Sequence, residues 1–148
     1  MLSEIAVKTL MPDYYQAVFA LENAVFSAPR SFPVIKEEAE NPSMIFLAAF
    51  YGNEFAGYGG FGYIIDEGYI NNIAVVPEFR RRGVASAILD EFDRKAKEFG
   101  LQFLTLEVRS RNNGAIKLYE NHGYVKKGIR RGFYVKPEDD GLIYTKFY

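Results

Sequence analysis

The sequence predicts an α/β (α+β) fold, with one mixed, mostly antiparallel central sheet and helices on both faces. Three observations carry that reading. Between Met44 and Val76, strand-like runs alternate with short turn signals, the pattern of a meander. Val84, Ile88, Phe92, Ala96 and Phe99 then recur every three or four residues, the apolar stripe of an amphipathic helix. "LQFLTLEV" follows as a nearly continuous apolar run, the type of strand that parallel sheets bury. The 148 residues form one expected domain, 1–148, long enough to bury roughly two-thirds of the surface its unfolded chain exposes.

The remaining elements follow in order. "IAVKTL" reads as a first strand, and "MPDYYQAVFALENAVF" as a helix with Tyr15, Phe19, Ala20 and Val25 at helical spacing. "SAPRSFPVIKEEAENPS" combines prolines with clustered charges and reads as a loop holding one short helix. Within the meander, Gly52-Asn53 and Asp66-Glu67-Gly68 mark the turns. Gly57, Gly59, Gly60 and Gly62 weaken the middle strand and indicate a bend or a close backbone approach. Gly100 stops the amphipathic helix. "NGAIKLYENHG" is a short helix with Asn112 or Asn113 as its cap, and "YVKKGIRRGFYV" and "GLIYTKFY" are closing strands.

Composition removes whole classes of chemistry. The chain has no cysteine, which excludes disulfides, thiolate metal ligands and a cysteine nucleophile. His122 is the single histidine, so neither a Ser-His-Asp apparatus nor a multi-histidine metal site is expected, and no metal is assigned. His122 itself is read as a surface-turn residue without a role. The net charge of −1 supplies no global field for nucleic acid. Lys126, Lys127, Arg130 and Arg131 fit a basic patch for ribosomal RNA or an acidic peptide, though such runs are more often a solvated strand face. With no long apolar run and no basic-then-apolar leader, the expectation is a cytoplasmic protein without membrane contact. The 11 tyrosines make a phenol the natural place to seek a proton donor.

One stretch points to an anion. In "VVPEFRRRGVASAILDEF" three arginines and Gly83 stand directly before the amphipathic helix. A helix start leaves its first N–H groups unpaired, and the macrodipole adds about half a positive charge there. Gly83 permits close approach, and small Ala85 and Ser86 leave it unobstructed. No Lys-Ser/Thr pair completes a P-loop, and no G-x-G-x-x-G stands in the dinucleotide arrangement. Taken alone, Arg-x-x-Gly-x-Ala also fits a solvated basic turn.

Its neighbours extend the pattern. "NIAV", "RRRGVA", "LEVRSRNNGAIKLYENHGY" and "RRGFY" fall in order between Ile70 and about Tyr134. Together they resemble the Gcn5-related N-acetyltransferase (GNAT) family, and within it the ribosomal-protein-alanine (RimI-type) enzymes. The resemblance implies an acetyl-CoA-dependent N-acyltransferase with acetyl-CoA as cosubstrate. It implies that the backbone of Ile73, Ala74 and Val75 bonds the pantetheine arm. It also implies that Arg81, Arg82, Gly83, Val84, Ala85 and Ser86 hold the pyrophosphate through main-chain N–H groups. Asn112 matches the family's asparagine, expected on the pantetheine or adenine side. Glu107 matches the base, Tyr119 the general acid, and Tyr134 a tyrosine that clasps the peptide N-terminus. For each the residues admit a plainer role: core strand for Ile73 to Val75, an ion pair with Arg109 for Glu107, a buried aromatic for Tyr119.

The expected acceptor is a protein N-terminal α-amine, plausibly of a ribosomal protein. The alternatives are a small amine (polyamine, amino acid or aminoglycoside) and a non-catalytic acyl-CoA-binding module. Retention of both Glu107 and Tyr119 disfavours the last. The amine matters quantitatively: an α-amine of pKa 7.7–8.0 is roughly 10% neutral at pH 7, a lysine less than about 0.1%. An α-amine acceptor therefore needs only modest base assistance, and direct transfer without a covalent intermediate suffices. Three places depart from the RimI-type pattern, one of them the end, where "PEDDGLIYTKFY" keeps an acidic pair but not the usual "EDA" followed by a methionine. "FSAPRSF" replaces a "PWS"-like segment in a chain without tryptophan, and Phe133 stands where a second tyrosine is usual.

Overall fold

The computed structural model describes residues 4–148. Residues 1–3 of the expected 1–148 domain, and with them the reading of the N-terminus as leaderless, lie outside the described residues. The elements are β1 (Ile5–Thr9), α1 (Tyr15–Val25), α2 (Phe32–Ala39), β2 (Met44–Tyr51), β3 (Glu54–Ile64), β4 (Glu67–Val75), α3 (Val84–Glu98), β5 (Phe103–Arg109), α4 (Asn113–Asn121), β6 (Val125–Val135) and β7 (Glu138–Phe147). Short 3-10 turns at Pro12–Tyr14 and Pro77–Phe79 lead into α1 and toward α3. One seven-stranded sheet runs in the order β1-β2-β3-β4-β5-β7-β6. Every pairing is antiparallel except β4 with β5.

Strand alternation sorts the core into two layers. On β2, Leu47 and Ala49 face one side and join Val84, Ile88, Leu89 and Phe92 of α3. Phe46 and Ala48 face the other and join Val18 and Leu21 of α1 and Ile35 of α2. Each large side chain buried this way contributes about 1.5–3 kcal/mol. The glycine run of β3 is explained by how closely α3 sits on it. A Cβ at Gly59 would stand 2.7 Å from Ile88 Cγ2 and 2.9 Å from Phe92 Cζ. On the opposite face a Cβ at Gly60 would meet the Phe46 ring at 2.6 Å.

Three expectations shift in detail. The second meander turn is Ile65–Asp66, so β4 starts at Glu67 and includes Gly68. The last strand begins at Glu138 rather than Gly141 because β6 and β7 pair up to Val135↔Glu138. β5 is not buried on both faces. Leu104, Leu106 and Val108 are buried, while Thr105, Glu107 and Arg109 alternate with them and stay partly exposed.

The reason lies in the one parallel pairing. β4 and β5 match only at Glu67↔Phe103, Gly68↔Leu104 and Tyr69↔Thr105, and then diverge. Beyond that point β4 keeps its pairing with β3 on one edge, and β5 keeps β7. A cleft opens between them, and it receives the second face of β5.

Candidate active site

Two connected cavities occupy this opening. The first, of about 590 Å³, lies between the end of β4, the start of α3 and α4. The second, of about 630 Å³, is a groove between the α1–α2 loop on one side and β5, Tyr134 and Pro137 on the other. Val25, Phe26, Ile73, Asn112, Ala115 and Tyr119 line both, so the cavities meet around Tyr119.

The first cavity is walled at one end by backbone donors. After β4 the chain turns through Pro77–Phe79 and through Arg81 and Gly83, both at positive φ (63° and 87°). Gly83 is the N-cap of α3 and offers no side-chain acceptor. The first intrahelical bond at this end is from Ala87 N–H to the Gly83 carbonyl at 3.0 Å. The amides of Val84, Ala85 and Ser86 are therefore left without an intrahelical acceptor, at the positive end of a 15-residue helix. All three residues line the cavity, as do Ile73, Ala74, Val75, Arg81 and Gly83.

The Arg82 side chain is turned elsewhere. Its guanidinium lies over the rings of Tyr51 at 5.3 Å and Phe79 at 5.7 Å, while Arg80 joins Arg81 at the cavity wall. Asn112 is the cap of α4, its Oδ1 accepting from Ala115 N at 3.1 Å. His122 is not a plain surface-turn residue. It caps the far end of α4, mostly buried, with Nε2 2.6 Å from Ser86 Oγ and Nδ1 3.4 Å from Asp90 Oδ1.

The groove collects the groups with acid–base chemistry. Glu107 projects into it because its neighbours Leu106 and Val108 point to the core. The ion pair with Arg109, the plainer alternative for Glu107, does not form. Glu107 Oε1 meets Arg130 Nε of β6 at 3.2 Å, and Arg109 bonds the β6–β7 turn instead. Tyr119 is half-buried, and burial of its phenol, with a smaller contribution from Tyr134, pushes its pKa up to about 12. Tyr134 is also raised, first by burial and then by the Glu107 carboxylate.

A further constellation escaped the sequence reading. Glu22 on α1 is 1% exposed. Its Oε1 accepts from Arg30 N at 3.0 Å, and its Oε2 accepts from Arg30 Nη2 and Asn72 Nδ2, both at 2.7 Å. Tyr58 O–H donates a very short bond to the same oxygen. Arg30 also donates to Glu38 Oε1 at 2.7 Å. Burial by itself raises the Glu22 carboxyl, but the bonds from Arg30 and Tyr58 outweigh it, and the net pKa is lowered. The network ties the α1–α2 loop to Asn72, the residue before the Ile73–Val75 edge. A signal did exist: Tyr15, Val18 and Glu22 share helical spacing, so a carboxylate stands on a buried stripe. A buried carboxylate needs a cation, and Arg30 is nearby in sequence.

A helix N-terminus with free amides seats a phosphate-bearing ligand. A carboxylate and a protonated phenol beside a groove can take a proton from one partner and give one to another. These features define an acyltransferase class that the family match makes explicit. Residues 9–124 match the acetyltransferase (GNAT) family, and the chain belongs to that family. A Bacillus subtilis (strain 168) protein, named provisionally as a [ribosomal protein bS18]-alanine N-acetyltransferase, is 30% identical over 144 residues, 97% of this chain and 95% of that protein. The crystal structure of the Escherichia coli ribosomal-protein-S18-alanine N-acetyltransferase superposes with a TM-score of 0.89 at 25% identity, covering 97% of this chain and 93% of the other. Arabidopsis thaliana NAA60, solved in complex with acetyl-CoA, shares the fold at a TM-score of 0.89 and 18% identity, over 97% and 99% of the two chains. Among the described residues no helix is long and apolar enough to cross a membrane.

Proposed function

We propose that this chain transfers an acetyl group from acetyl-CoA directly to the N-terminal α-amine of a protein, and that the protein is ribosomal. The observation that carries the reading is the junction at Tyr119. On one side lies the anion seat of Val84, Ala85 and Ser86; on the other lies a groove holding Glu107 and Tyr134. The seat fits acetyl-CoA by its donor set, since three amides at a helix start offer N–H groups to a diphosphate. Ile73 to Val75 supply the free strand edge for the pantetheine amides, and a β4 N–H near Val75 supplies a donor for the developing oxyanion. Asn112 stands at the passage between the two cavities.

In the groove, Glu107 accepts a proton from the acceptor's ammonium, through water. The neutral amine attacks the thioester carbonyl, the C–S bond breaks as Tyr119 gives its proton to the departing thiolate, and the proton that the new amide nitrogen sheds restores the phenol. Tyr134 holds the acceptor's N-terminal residue. The groove's charge favours a peptide over a polyamine. It is lined by Phe26 and Ser27 on one side and by Tyr134 and Pro137 on the other, with Ser27 Oγ donating to the Lys136 carbonyl across the rim. Both of its glutamates are matched by arginines, Glu22 with Arg30 and Glu107 with Arg130, so it offers no surplus of negative charge to a polycation. The test is a panel of peptide N-termini and small amines with acetyl-CoA, read by free thiol release. Turnover of the small amines alone would overturn the assignment.

The pH profile follows from the two groups that move protons. An α-amine of pKa 7.7–8.0 becomes neutral across that range, so the demand on Glu107 falls and kcat/KM rises toward a level value above it. Tyr119 acts as an acid only while protonated, and its pKa of about 12 keeps it so well past neutrality. Activity with a peptide acceptor should therefore hold a plateau from roughly pH 8.5 to 10.5, a window set by those two values. A decline centred near pH 9 would assign the acid to another group.

Gly83→Val tests the anion seat. Valine at φ 87° is strained, at a cost of order 1–3 kcal/mol, and it displaces the helix-start amides. Acetyl-CoA should bind roughly tenfold more weakly by titration calorimetry, the equivalent of about 1.4 kcal/mol. Unchanged affinity would remove this loop from the site.

A further inference from the structure

Arg109 contributes to the groove in a way that the acid–base reading leaves unused. It follows Glu107 by two residues on β5, so the two side chains leave the strand on the same face. Its guanidinium carbon lies 4.2 Å from the centroid of the Tyr134 ring. Nη1 donates to the Pro137 carbonyl at 2.6 Å, and Nη2 donates to the Lys136 carbonyl at 3.1 Å. From the opposite rim, Ser27 Oγ donates to the same Lys136 carbonyl at 3.1 Å.

The strand ladder does not by itself set Tyr134 in place. β6 and β7 lose register between Arg130 and Tyr134, and only Tyr134↔Asp139 and Val135↔Glu138 pair beyond the break. Those two pairs close a short hairpin end that projects past the continuous sheet. Phe133 packs on one side of Tyr134, ring centroids 5.0 Å apart and nearly perpendicular. At the end of β5, Ser110 Oγ and Arg111 N–H bond the Asp139 carboxylate, while Arg109 reaches the turn carbonyls and the Tyr134 ring itself.

We propose that Arg109 is a positioning residue for the acceptor. It stacks on Tyr134, holds the β6–β7 turn by two carbonyls, and meets Ser27 at Lys136 so that the two rims of the groove are joined. This rests on the reading of the groove as the acceptor site. The planar fork of arginine makes all three contacts at once, whereas lysine keeps the charge but cannot bridge two carbonyls while stacking on a ring.

The experiment compares wild type, Arg109→Lys and Ser27→Ala with a peptide bearing a free N-terminal alanine. Arg109→Lys should raise the peptide KM about tenfold, while the acetyl-CoA KM stays within about twofold. Ser27→Ala, which removes one exposed hydroxyl bond, should raise the peptide KM about threefold. In a Tyr134→Ala background Arg109→Lys should add little, because it acts through that ring. Amide hydrogen exchange of the intact protein should quicken across residues 132–138 in Arg109→Lys and stay unchanged in β4. Equal rises in both KM values, or unchanged exchange at 132–138, would overturn the proposal. Should wild type acetylate no peptide, the proposed function fails, and the exchange measurement still decides what Arg109 does.

Discussion

Tyr119→Phe is expected to lower kcat with a peptide acceptor by about 10²–10⁴-fold, the usual contribution of a positioned general acid. Acetyl-CoA affinity should stay within about twofold, because the change removes one oxygen and keeps the ring that packs the site. The Tyr119 ring meets Tyr124 edge-on at 5.9 Å and lines both cavities, so phenylalanine preserves the wall. In the proposed mechanism the hydroxyl supplies the proton, and its raised pKa of about 12 keeps that proton in place at neutral pH. Stopped-flow turnover with calorimetric acetyl-CoA binding separates the two effects. A kcat within a few-fold of wild type would end the assignment of Tyr119 as the acid.

Arg30→Met should cost about 3–5 kcal/mol of stability, because it leaves the buried Glu22 carboxylate without its cation. For a chain of this size that is a fall in Tm of roughly 10 °C. The pH dependence carries the mechanism. In the wild type the Glu22 pKa is lowered in the folded state, from an ordinary value of 4.5. Its contribution is therefore present above that value and is lost as pH falls through the folded pKa. In Arg30→Met the sign reverses: burial dominates, the folded pKa rises, and protonation relieves the unpaired charge. The stability gap between the two proteins should narrow as pH drops toward about 4.5, measured by urea unfolding at pH 7 and pH 4.5. A gap independent of pH would show that Arg30 stabilises by packing alone.

Both residues bear on how the site is assembled. Tyr119 stands where the two cavities meet, and Arg30 fixes the loop that walls one of them. That loop is where the sequence departs from the RimI-type pattern, with "FSAPRSF" in place of a "PWS"-like segment. The bulk of a tryptophan is absent, and an arginine anchored on Glu22, Glu38 and Tyr58 stands beside the groove. The loop's position is thus set by a buried charge network.

Local periodicity was enough to read the helices and the meander, whereas the anion site before α3 was suggested by the resemblance of the motifs around it. The stripe from Val84 to Phe99, the stop at Gly100 and the bare N-terminus behind Gly83 are properties of neighbouring residues, which a chain carries in its order. The glycines of β3 announced a close approach for the same reason, since a missing side chain is visible in sequence. What met them was not: Ile88, Phe92 and Phe46 come from other elements. The ion partner of Glu107 was not legible for a related reason. Arg109 is near in sequence and on the same face, but strand pairing brings Arg130 of β6 to the carboxylate and sends Arg109 to the far turn. The divergence of β4 from β5 after Tyr69↔Thr105 creates the cleft itself, and it comes from the sheet's pairing as a whole rather than from any one strand. Sequence alone therefore determined which elements form and which residue types stand at their ends. Only the tertiary structure decided which charges meet and where the sheet opens, because those depend on contacts between segments far apart in the chain.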